Sequence, residues 1–505
     1  MATKIVAAPT DKDALRTAEE RCGREAEARD KFAQILGYLR GEARGEKLHE
    51  VERGLFVRLL QLGLALLRLF LEERGTGKLA EGKVLTREGT ELRYHSKKKL
   101  AYFSIFGTLE IERAYYWDLG EEGVCPLDAV LGVPERYYSL LLREWGALIG
   151  VGRAFEQVTK QIETWLRVKL WNQAVQLTMQ DAAQDVDSFY EQKPAPKPET
   201  EAEFVVGQLD GKGVPIRREE SKGKKLRLGK GEKPNRKKEA IAYSVYSVAP
   251  FVRTPDDIVR EVRDDATVVE PMTRSERPEP QNKYTRATLA GKDVAFAEVR
   301  RLLDERDPEH KKTRLVLTDG SEALQERALR MLGAIVLILD IWHVLTYLWE
   351  AAYAFHDEGS AEAARWVMNK LRLLCEGKVG YVIGDLRRKL AEGDFKKSRR
   401  GALKKAIRYM HRNRRFMRYD EYIALGYPIG SGVAEGACRH LIRDRMECAG
   451  MSWSVQGAQA VLDLRAVEIN GDWASFWRHH AEQESERLYA HLDVDDLARR
   501  VKCAA

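Results

Sequence analysis

At 505 residues, the chain is long enough for roughly three domains of about 150 residues each. Its net charge is only +7, so the positions of the charges matter more than their sum. The six cysteines form no CxxC pair, which argues against a zinc ribbon and a disulfide framework and suits a reducing cytosol. The sequence has no signal-peptide core and no stretch of about 18 uncharged apolar residues, so we expect a soluble cytoplasmic protein without a membrane partner.

The first part of the chain is predicted to be helical over 1–84 and to form a small antiparallel β unit over 85–135. Residues 11–50 have the composition of a surface helix. A helical stripe of apolar residues follows, made of Phe56, Leu59, Leu60, Gly63, Leu67 and Phe70. In the β unit, Leu109, Ile111 and Tyr115 alternate with charged or small residues, and Phe106–Thr108 has the composition of a hairpin turn.

Residues 136–191 return to a helical pattern that is broken near Gly150. The segment from Ala154 to Tyr190 is compatible with a helix-turn-helix that binds DNA. A helical hairpin without DNA contacts is the commoner structure, so both interpretations stay open. The proline-rich segment 192–202 predicts an extended linker.

The second part of the chain alternates strands and helices. Strands are predicted at Glu203–Leu209, Ala240–Val252, Leu315–Thr318 and Ala334–Leu339, and helices separate the later ones at Val294–Leu303 and Glu322–Leu332. We therefore predict an α+β multidomain protein with an α/β core over 203–343 and an all-α insertion over 344–425. The core then resumes over 426–480, and a C-terminal tail occupies 481–505.

Three acids follow strands or a glycine-rich turn, namely Asp210, Asp319 and Glu435. Functional groups gather beyond the carboxyl ends of strands in open α/β sheets. Carboxylates that converge there repel one another and are tolerated with divalent cations, and oxygen ligands select Mg²⁺ or Mn²⁺. Two such ions would support phosphodiester chemistry. The alternative is that each Asp-Gly pair is an ordinary turn, which explains most such pairs.

Five segments resemble the DDE transposases of bacterial insertion sequences, specifically the ISKra type. They are QLDGKGVPIR (208–217), RTPDDIV (253–259), LVLTDGSEALQERA (315–328), LDIWHV (339–344) and YPIGSGVAEGACRHLIRDRMECAGMSWS (427–454). The resemblance covers about residues 90–480 and implies an RNase H-like catalytic domain. It also implies Asp210 on the first strand of that domain, Asp319 after the fourth, and Glu435 on a late helix as ligands of two Mg²⁺ or Mn²⁺ ions. Asp340 and His343 resemble a C/D-x-x-H pattern of related transposases, and we expect them to form a structural pair.

Two basic runs flank the candidate site. Residues 217–238 hold eleven Lys and Arg, and so do residues 396–418, which contain no acid. A run of basic residues is usually a surface that only contacts solvent. Because these two runs flank a candidate nuclease site, phosphate binding is the favoured interpretation. The candidate DNA-binding residues are Lys404, Lys405, Arg408, Arg412, Arg439, Arg443 and Arg445. Trp453 is predicted to pack in the core rather than to stack on a base.

The resulting hypothesis is a transposase that cleaves the DNA ends of its own mobile element and joins them to target DNA. Its partner would be double-stranded DNA, on which it would act as a homodimer or larger assembly associated with the nucleoid, with no small-molecule substrate. The alternatives are another RNase H-like nuclease, such as a junction resolvase, and a DNA-binding derivative that has lost catalysis.

Overall fold

The fold is described from a computed structural model that covers residues 11–217, 237–263, 277–430, 432, 436, 438–448 and 451–504. The chain forms two compact units. The first combines Met1–Asp185 with Trp473–Ala505, and the second is Val186–Asp472. The unit boundary therefore lies at 185/186, ahead of the predicted linker, and the last 33 residues (473–505) belong to the N-terminal unit.

The first unit begins with a pair of long helices, α1 (Asp11–Arg40) and α2 (Leu48–Arg74). Ion pairs join them, with Arg24 3.2 Å from Glu72 and Arg68 3.0 Å from Glu27. Among the described residues, α2 is the one helix long and apolar enough, by length and composition, to cross a membrane. Of its residues, only Leu60 and Ala65 are buried.

The predicted small β unit is confirmed as a three-stranded antiparallel sheet, β1 (Lys83–Leu85), β2 (Glu91–Ser104) and β3 (Gly107–Trp117). The hairpin turn is one residue earlier than predicted, because Ser104 pairs with Gly107 and the turn is therefore Ile105–Phe106. Gly107 has a φ of +135°, a conformation that favours glycine.

The remaining helices of the first unit come from both ends of the chain. They are α3 (Pro126–Leu131), α4 (Leu140–Gly150), α5 (Phe155–Leu166), α6 (Asn172–Ala183), α17 (Trp473–Tyr489) and α18 (Val494–Ala504). Leu492, Leu497 and Val501 from the C-terminal segment share one apolar core with the small sheet. On α17, the buried His480 ring lies between Asp185, 2.6 Å away, and Arg143, 3.2 Å away. The C-terminal segment is thus an integral part of this unit.

The second unit is built on a five-stranded sheet with the order β6-β5-β4-β7-β8. Its strands are β4 (Phe204–Pro215), β5 (Lys237–Val248), β6 (Gln281–Thr288), β7 (Thr313–Thr318) and β8 (Val336–Leu339). β4, β5 and β6 are antiparallel neighbours, whereas β4, β7 and β8 are parallel neighbours. The sequence did not predict β6, because its polar residues hide the strand pattern.

Helices cover both faces of this sheet. Every residue from Ala240 to Val248 is buried, and a strand reads as a continuous buried run when both of its faces are covered. The covering elements include α9 (Lys292–Arg306), α10 (Glu322–Met331), α16 (Val455–Ile469) and a π-helical segment, Cys438–Arg443. This unit also contains the short helices α7 (Val186–Gln192) and α8 (Pro255–Arg263).

The region predicted as an all-α insertion consists of helices joined by short connections. It contains α11 (Ile341–Ala352), α12 (Ala361–Cys375), α13 (Val379–Glu392), α14 (Lys397–Asn413) and α15 (Tyr419–Ala424). The last two helices return to the sheet, where the Tyr419 hydroxyl donates to the Leu339 carbonyl at 2.8 Å. The insertion is therefore anchored at the end of β8.

Candidate active site

Asp210 and Asp319 are neighbours on adjacent parallel strands. The last paired residues of β4 and β7 are Gln208 and Leu317. Asp210 lies two residues farther along β4, and Asp319 is the first residue after β7, which ends at Thr318. The parallel register therefore brings the two acids to the same edge of the sheet, where the charge of Asp210 acts on Asp319. Asp210 lies within β4, which runs on to Pro215, so the prediction that the strand ends before Asp210 is wrong.

The electrostatics of this pair are unfavourable. The pKa of Asp319 is raised, first by burial of its carboxyl group and also by the negative charge of Asp210. The Ser321 amide donates to Asp319 Oδ1 at 2.8 Å, and the Gly211 amide donates to Asp210 Oδ1 at 2.7 Å. Each carboxylate thus has one oxygen held by the backbone, and a cation between the two would relieve their repulsion.

Asp340 and His343 follow the next strand, β8, with Asp340 as the N-cap of α11 and His343 in its first turn. Asp340 follows Leu339, the β8 partner of Thr318, so it is level with Asp319. It is 1% exposed and caps α11, because its Oδ1 accepts from the Trp342 amide at 3.0 Å. His343 Nε2 lies 3.9 Å from Asp340 Oδ2, and its charge lowers the pKa of Asp319. Asp340 therefore has a structural contact at the junction of β8 and α11.

The turn after β7, Asp319–Ser321, is held from the far side by α14. The Tyr409 hydroxyl donates to the Asp319 carbonyl at 2.8 Å, and Arg412 donates to the Gly320 carbonyl at 2.7 Å. Gly320 has a φ of +85°, and a Cβ there would lie 2.8 Å from the Tyr409 ring. Sequence reasoning missed Tyr409 as a site residue, since nothing in the spacing links it to Asp319.

Tyr409 is itself fixed by its surroundings. Its ring stacks on Tyr347 of α11 with 3.9 Å between the ring centroids, and it is 6% exposed. The ammonium of Lys405 lies 4.8 Å above the Tyr347 ring. Two helices of the insertion therefore combine to support the backbone of the second acid.

Glu435 and the side chain of Arg439 lie outside the described residues. The described segments on either side of Glu435 contact the sheet. On the N-terminal side, the Ile429 carbonyl accepts from the amide of Ile341, next to Asp340, at 2.9 Å. The segment Cys438–Arg443 then packs on β4 and β5. Basic residues 218–236 also lie outside the described residues.

The second basic run forms one face of α14 and the turn after it. All eleven of its Lys and Arg residues are exposed, whereas Leu403, Ala406, Tyr409 and Met410 are buried. Lys405 pairs with Glu350 at 3.0 Å, and Arg412 lies 3.8 Å from Glu322. Lys404 and Arg408 are exposed on the same helix. A cationic surface therefore lies on the helix that contacts the Asp319 turn.

The arginines near the end of the last motif differ in exposure. Arg443 is exposed, whereas Arg445 is 1% exposed, with its guanidinium 4.6 Å above the Trp453 ring. Burial lowers the pKa of Arg445 to about 10. We do not include Arg445 among the proposed phosphate ligands, because its charge is not presented to solvent. Trp453 is 7% exposed, which confirms the predicted packing role.

In the first unit, the turn between α5 and α6 presents a basic and aromatic strip that sequence reasoning missed. Trp165, Arg167, Lys169 and Trp171 are exposed, and they alternate with the buried Leu166, Val168 and Leu170. Trp171 is 62% exposed, with the Lys169 ammonium 4.7 Å above its ring. In proteins that bind single-stranded nucleic acid, bases stack on aromatic side chains that lie beside basic groups. The alternation of polar and apolar residues from 165 to 171 is the signal that could have revealed it.

Within the described ranges, no group of three or more His, Cys, Asp or Glu side chains is arranged to hold a metal ion. Asp210 and Asp319 supply two carboxylates, and Glu435 lies outside the described residues. A comparison with protein-family models finds no match, and a comparison with curated proteins finds no similar sequence.

Proposed function

We propose that the chain is a DDE transposase that cuts the DNA ends of its own mobile element and joins them to target DNA. The observation that carries the proposal is the pairing of β4 with β7, which brings Asp210 and Asp319 to one edge of the sheet, close enough for the charge of Asp210 to act on Asp319. The two residues are 109 positions apart, so their pairing is independent of local sequence.

The sheet order also supports this proposal. The family resemblance requires an acid on the first strand to meet an acid after the fourth. In chain order β4 is the first strand of the sheet and β7 the fourth, and the two are adjacent. A five-stranded sheet with these neighbours is compatible with an RNase H-like catalytic domain, with 344–425 as its insertion.

The residues fit a divalent cation. Asp210 and Asp319 offer hard oxygen donors. Burial and, to a smaller extent, the charge of Asp210 raise the pKa of Asp319, and a bound cation would offset both effects. Mg²⁺ or Mn²⁺ would supply Lewis-acid activation of the nucleophile and stabilisation of the leaving oxygen. We propose Glu435 as the third ligand, because the described segments on either side of it contact the sheet.

The remaining residues of the site would bind and orient DNA. Lys404, Arg408 and Arg412 are exposed on the helix whose Tyr409 contacts the Asp319 turn, so phosphates bound there would lie near the carboxylates. Arg443 would contribute from the last motif. We retain Arg439 as a candidate from the sequence alone.

The test uses the full chain with DNA from both sides of its coding sequence. Asp210→Asn, Asp319→Asn and Glu435→Gln should each reduce cleavage and joining in Mg²⁺ at least about 1,000-fold, and double variants should be scarcely worse, as for residues that act as a unit. DNA binding should persist in all three. Asp340→Asn should keep activity, since asparagine can still cap α11.

Contrary results would have distinct meanings. Near wild-type activity in all three variants would refute the DDE assignment. Cleavage of four-way junctions in preference to element ends would favour a junction resolvase. DNA binding with no cleavage of any substrate in Mg²⁺ or Mn²⁺ would favour a derivative that has lost catalysis.

A further inference from the structure

The second unit contains a cavity of about 290 Å³ that none of the roles proposed above uses. Three parts of the chain line it, which are the end of β5 with the segment up to Arg253, residues 277–280, and the glycine- and proline-rich segment that begins at Gly426. Arg277 and Gly432 line the cavity and are exposed, so it opens to solvent. Its volume is close to the lower limit of ordinary small-molecule sites, which is roughly 300 Å³.

Most of the lining is apolar. Tyr246 and Val248 are buried and Phe251 is half-buried. Three prolines also line the cavity, namely Pro278, Pro280 and Pro428. At Gly430 a Cβ would lie 2.6 Å from the indole nitrogen of Trp342, which is 40% exposed, so bare backbone forms this part of the wall. Walls of rings and bare backbone fit a flat apolar group such as an aromatic base.

The cavity also carries positive charge that its surroundings only partly neutralise. Arg253 is 7% exposed, and its guanidinium donates to the carbonyls of Tyr427 at 2.7 Å and Phe251 at 3.3 Å. Its Nη1 lies 3.8 Å from Glu261, beyond hydrogen-bond distance. Burial lowers the pKa of Arg253, and of the nearby charges Glu261 raises it whereas Arg277 lowers it. A bound anion would offset both the burial and the repulsion between the two arginines.

The polar end of the cavity lies near the candidate active site. The Tyr246 hydroxyl accepts from Gln208 Nε2 at 2.8 Å, so its own proton remains available to a ligand. Gln208 is two residues before Asp210 on β4, and its Oε1 is buried with no hydrogen-bond partner in the described part of the chain. Burial raises the pKa of Tyr246, and the negative charge of Asp340 adds to this increase. The cavity is thus within electrostatic reach of the acids at this edge of the sheet.

We propose that this cavity binds one nucleotide, with its base in the apolar part and its phosphate at Arg277. Ring nitrogens and carbonyl oxygens of the base would accept from Tyr246 and Arg253. Arg277 is exposed at the opening, where a guanidinium pairs well with phosphate. Glu279 also lines the cavity and is exposed, and its carboxylate would accept from an exocyclic amino group of a base.

An unpaired nucleotide within DNA and a free nucleotide offer the same chemistry. The first source rests on the proposed function, because DNA held at the carboxylates would pass close to the cavity. Proteins that extrude a nucleotide from a duplex hold its base by stacking and hydrogen bonds in a close-fitting pocket. The occupant is therefore an unpaired nucleotide of the element end.

The test measures DNA binding by the full chain in EDTA, so its result does not depend on cleavage. Each duplex carries 2-aminopurine, a fluorescent base, at one position of the element end, either paired with thymine or unpaired. At the position that reaches the cavity, the wild-type chain should bind the unpaired duplex about tenfold more tightly, as expected for the stacking of one base. The 2-aminopurine fluorescence should change on binding.

Two substitutions should act on this preference in different ways. Ala249→Phe adds a ring to the cavity and should abolish the preference, whereas Arg277→Ala removes the phosphate contact and should reduce it. Because Arg277 is exposed, its variant keeps the test valid if Ala249→Phe fails to fold, which circular dichroism would reveal. Arg330→Ala is the matched control, since Arg330 is an exposed arginine of α10 that does not line this cavity, and it should leave the preference unchanged.

Equal binding of paired and unpaired duplexes at every position, with no binding of the free 2-aminopurine deoxynucleotide at about 1 mM, would overturn the inference. An effect of Arg330→Ala equal to that of Arg277→Ala would also overturn it. Binding of the free nucleotide that Ala249→Phe abolishes, without a preference for unpaired DNA, would assign the cavity to a free nucleotide. A preference for unpaired DNA in a chain that cleaves no DNA would refute the proposed function alone, whereas cleavage without either kind of binding would refute only this inference.

Discussion

Replacing Asp319 by asparagine should stabilise the metal-free protein. Asp319 and Asp210 lie at one edge of the sheet, on or just after adjacent strands, and strands are about 4.8 Å apart. Two unit charges at about 5 Å repel by roughly 3 kcal/mol at an effective dielectric constant of about 20. Asp210 is only partly buried, so solvent reduces this value, and we expect a gain of about 1–3 kcal/mol. Asparagine keeps the oxygen that accepts from the Ser321 amide.

The gain should depend on pH with a definite sign. Burial and the Asp210 charge raise the pKa of Asp319, so folding favours its protonated form. A group with a raised folded pKa loses its contribution to stability as the pH rises through that pKa. Ionised Asp319 therefore lowers the free energy of unfolding at neutral pH. This destabilisation disappears when the pH falls below the ordinary pKa of an aspartate. The asparagine variant should melt at a higher temperature near pH 7.5, and the difference should vanish near pH 3.5.

The assay is thermal unfolding in EDTA and in Mg²⁺. One kcal/mol corresponds to roughly 2–4 °C for a unit of this size, so the variant should gain about 2–12 °C in EDTA. Mg²⁺ should raise the melting temperature of the wild-type chain but not of Asp319→Asn. Asp394→Asn, which removes an exposed acid, is the control and should change nothing. A lower melting temperature for Asp319→Asn in EDTA would refute the argument from charge repulsion.

Three further predictions follow from other contacts. Tyr409→Phe removes the hydroxyl that donates to the Asp319 carbonyl. A loss of about 1 kcal/mol of support for the site should reduce strand cleavage about fivefold and shift its Mg²⁺ dependence, with DNA affinity unchanged. Arg143→Ala breaks a buried ion pair with Glu484 at 2.7 Å and should lower the free energy of unfolding, measured in urea, by about 3–5 kcal/mol. Adding Glu484→Gln should restore part of this free energy. The absence of any restoration would contradict the pairing. Neutralising basic residues in 396–418 should reduce the slope of log DNA affinity against log salt concentration by about 0.9 per lost phosphate contact. An unchanged slope would mean that this basic run is only a solvated helix face. Trp171→Ala should weaken DNA binding without changing the slope.

The sequence by itself determined the elements whose patterns are regular. The α/β alternation, the helical insertion and the small antiparallel sheet follow from apolar periodicity, which depends on near neighbours in the chain. The strands that precede Asp319 and Asp340 were predicted for the same reason. β6 was not predicted, because Gln281, Asn282 and Lys283 at its start give no alternating apolar pattern. Asp210 was placed after a strand although β4 continues beyond it, because Gly211 and Gly213 have the composition of a turn.

Only the tertiary structure decided which distant residues meet. The pairing of Asp210 with Asp319 depends on strand register, and register is set by side-chain packing over the whole sheet. The contact of Tyr409 with the Asp319 turn joins residues 90 positions apart, which no local pattern encodes. Two arginines that are equivalent in the sequence pattern differ in exposure, because Arg443 is exposed whereas Arg445 packs against Trp453. Side chains two positions apart on a helix point in different directions, and only the folded chain decides which of the two is exposed to solvent.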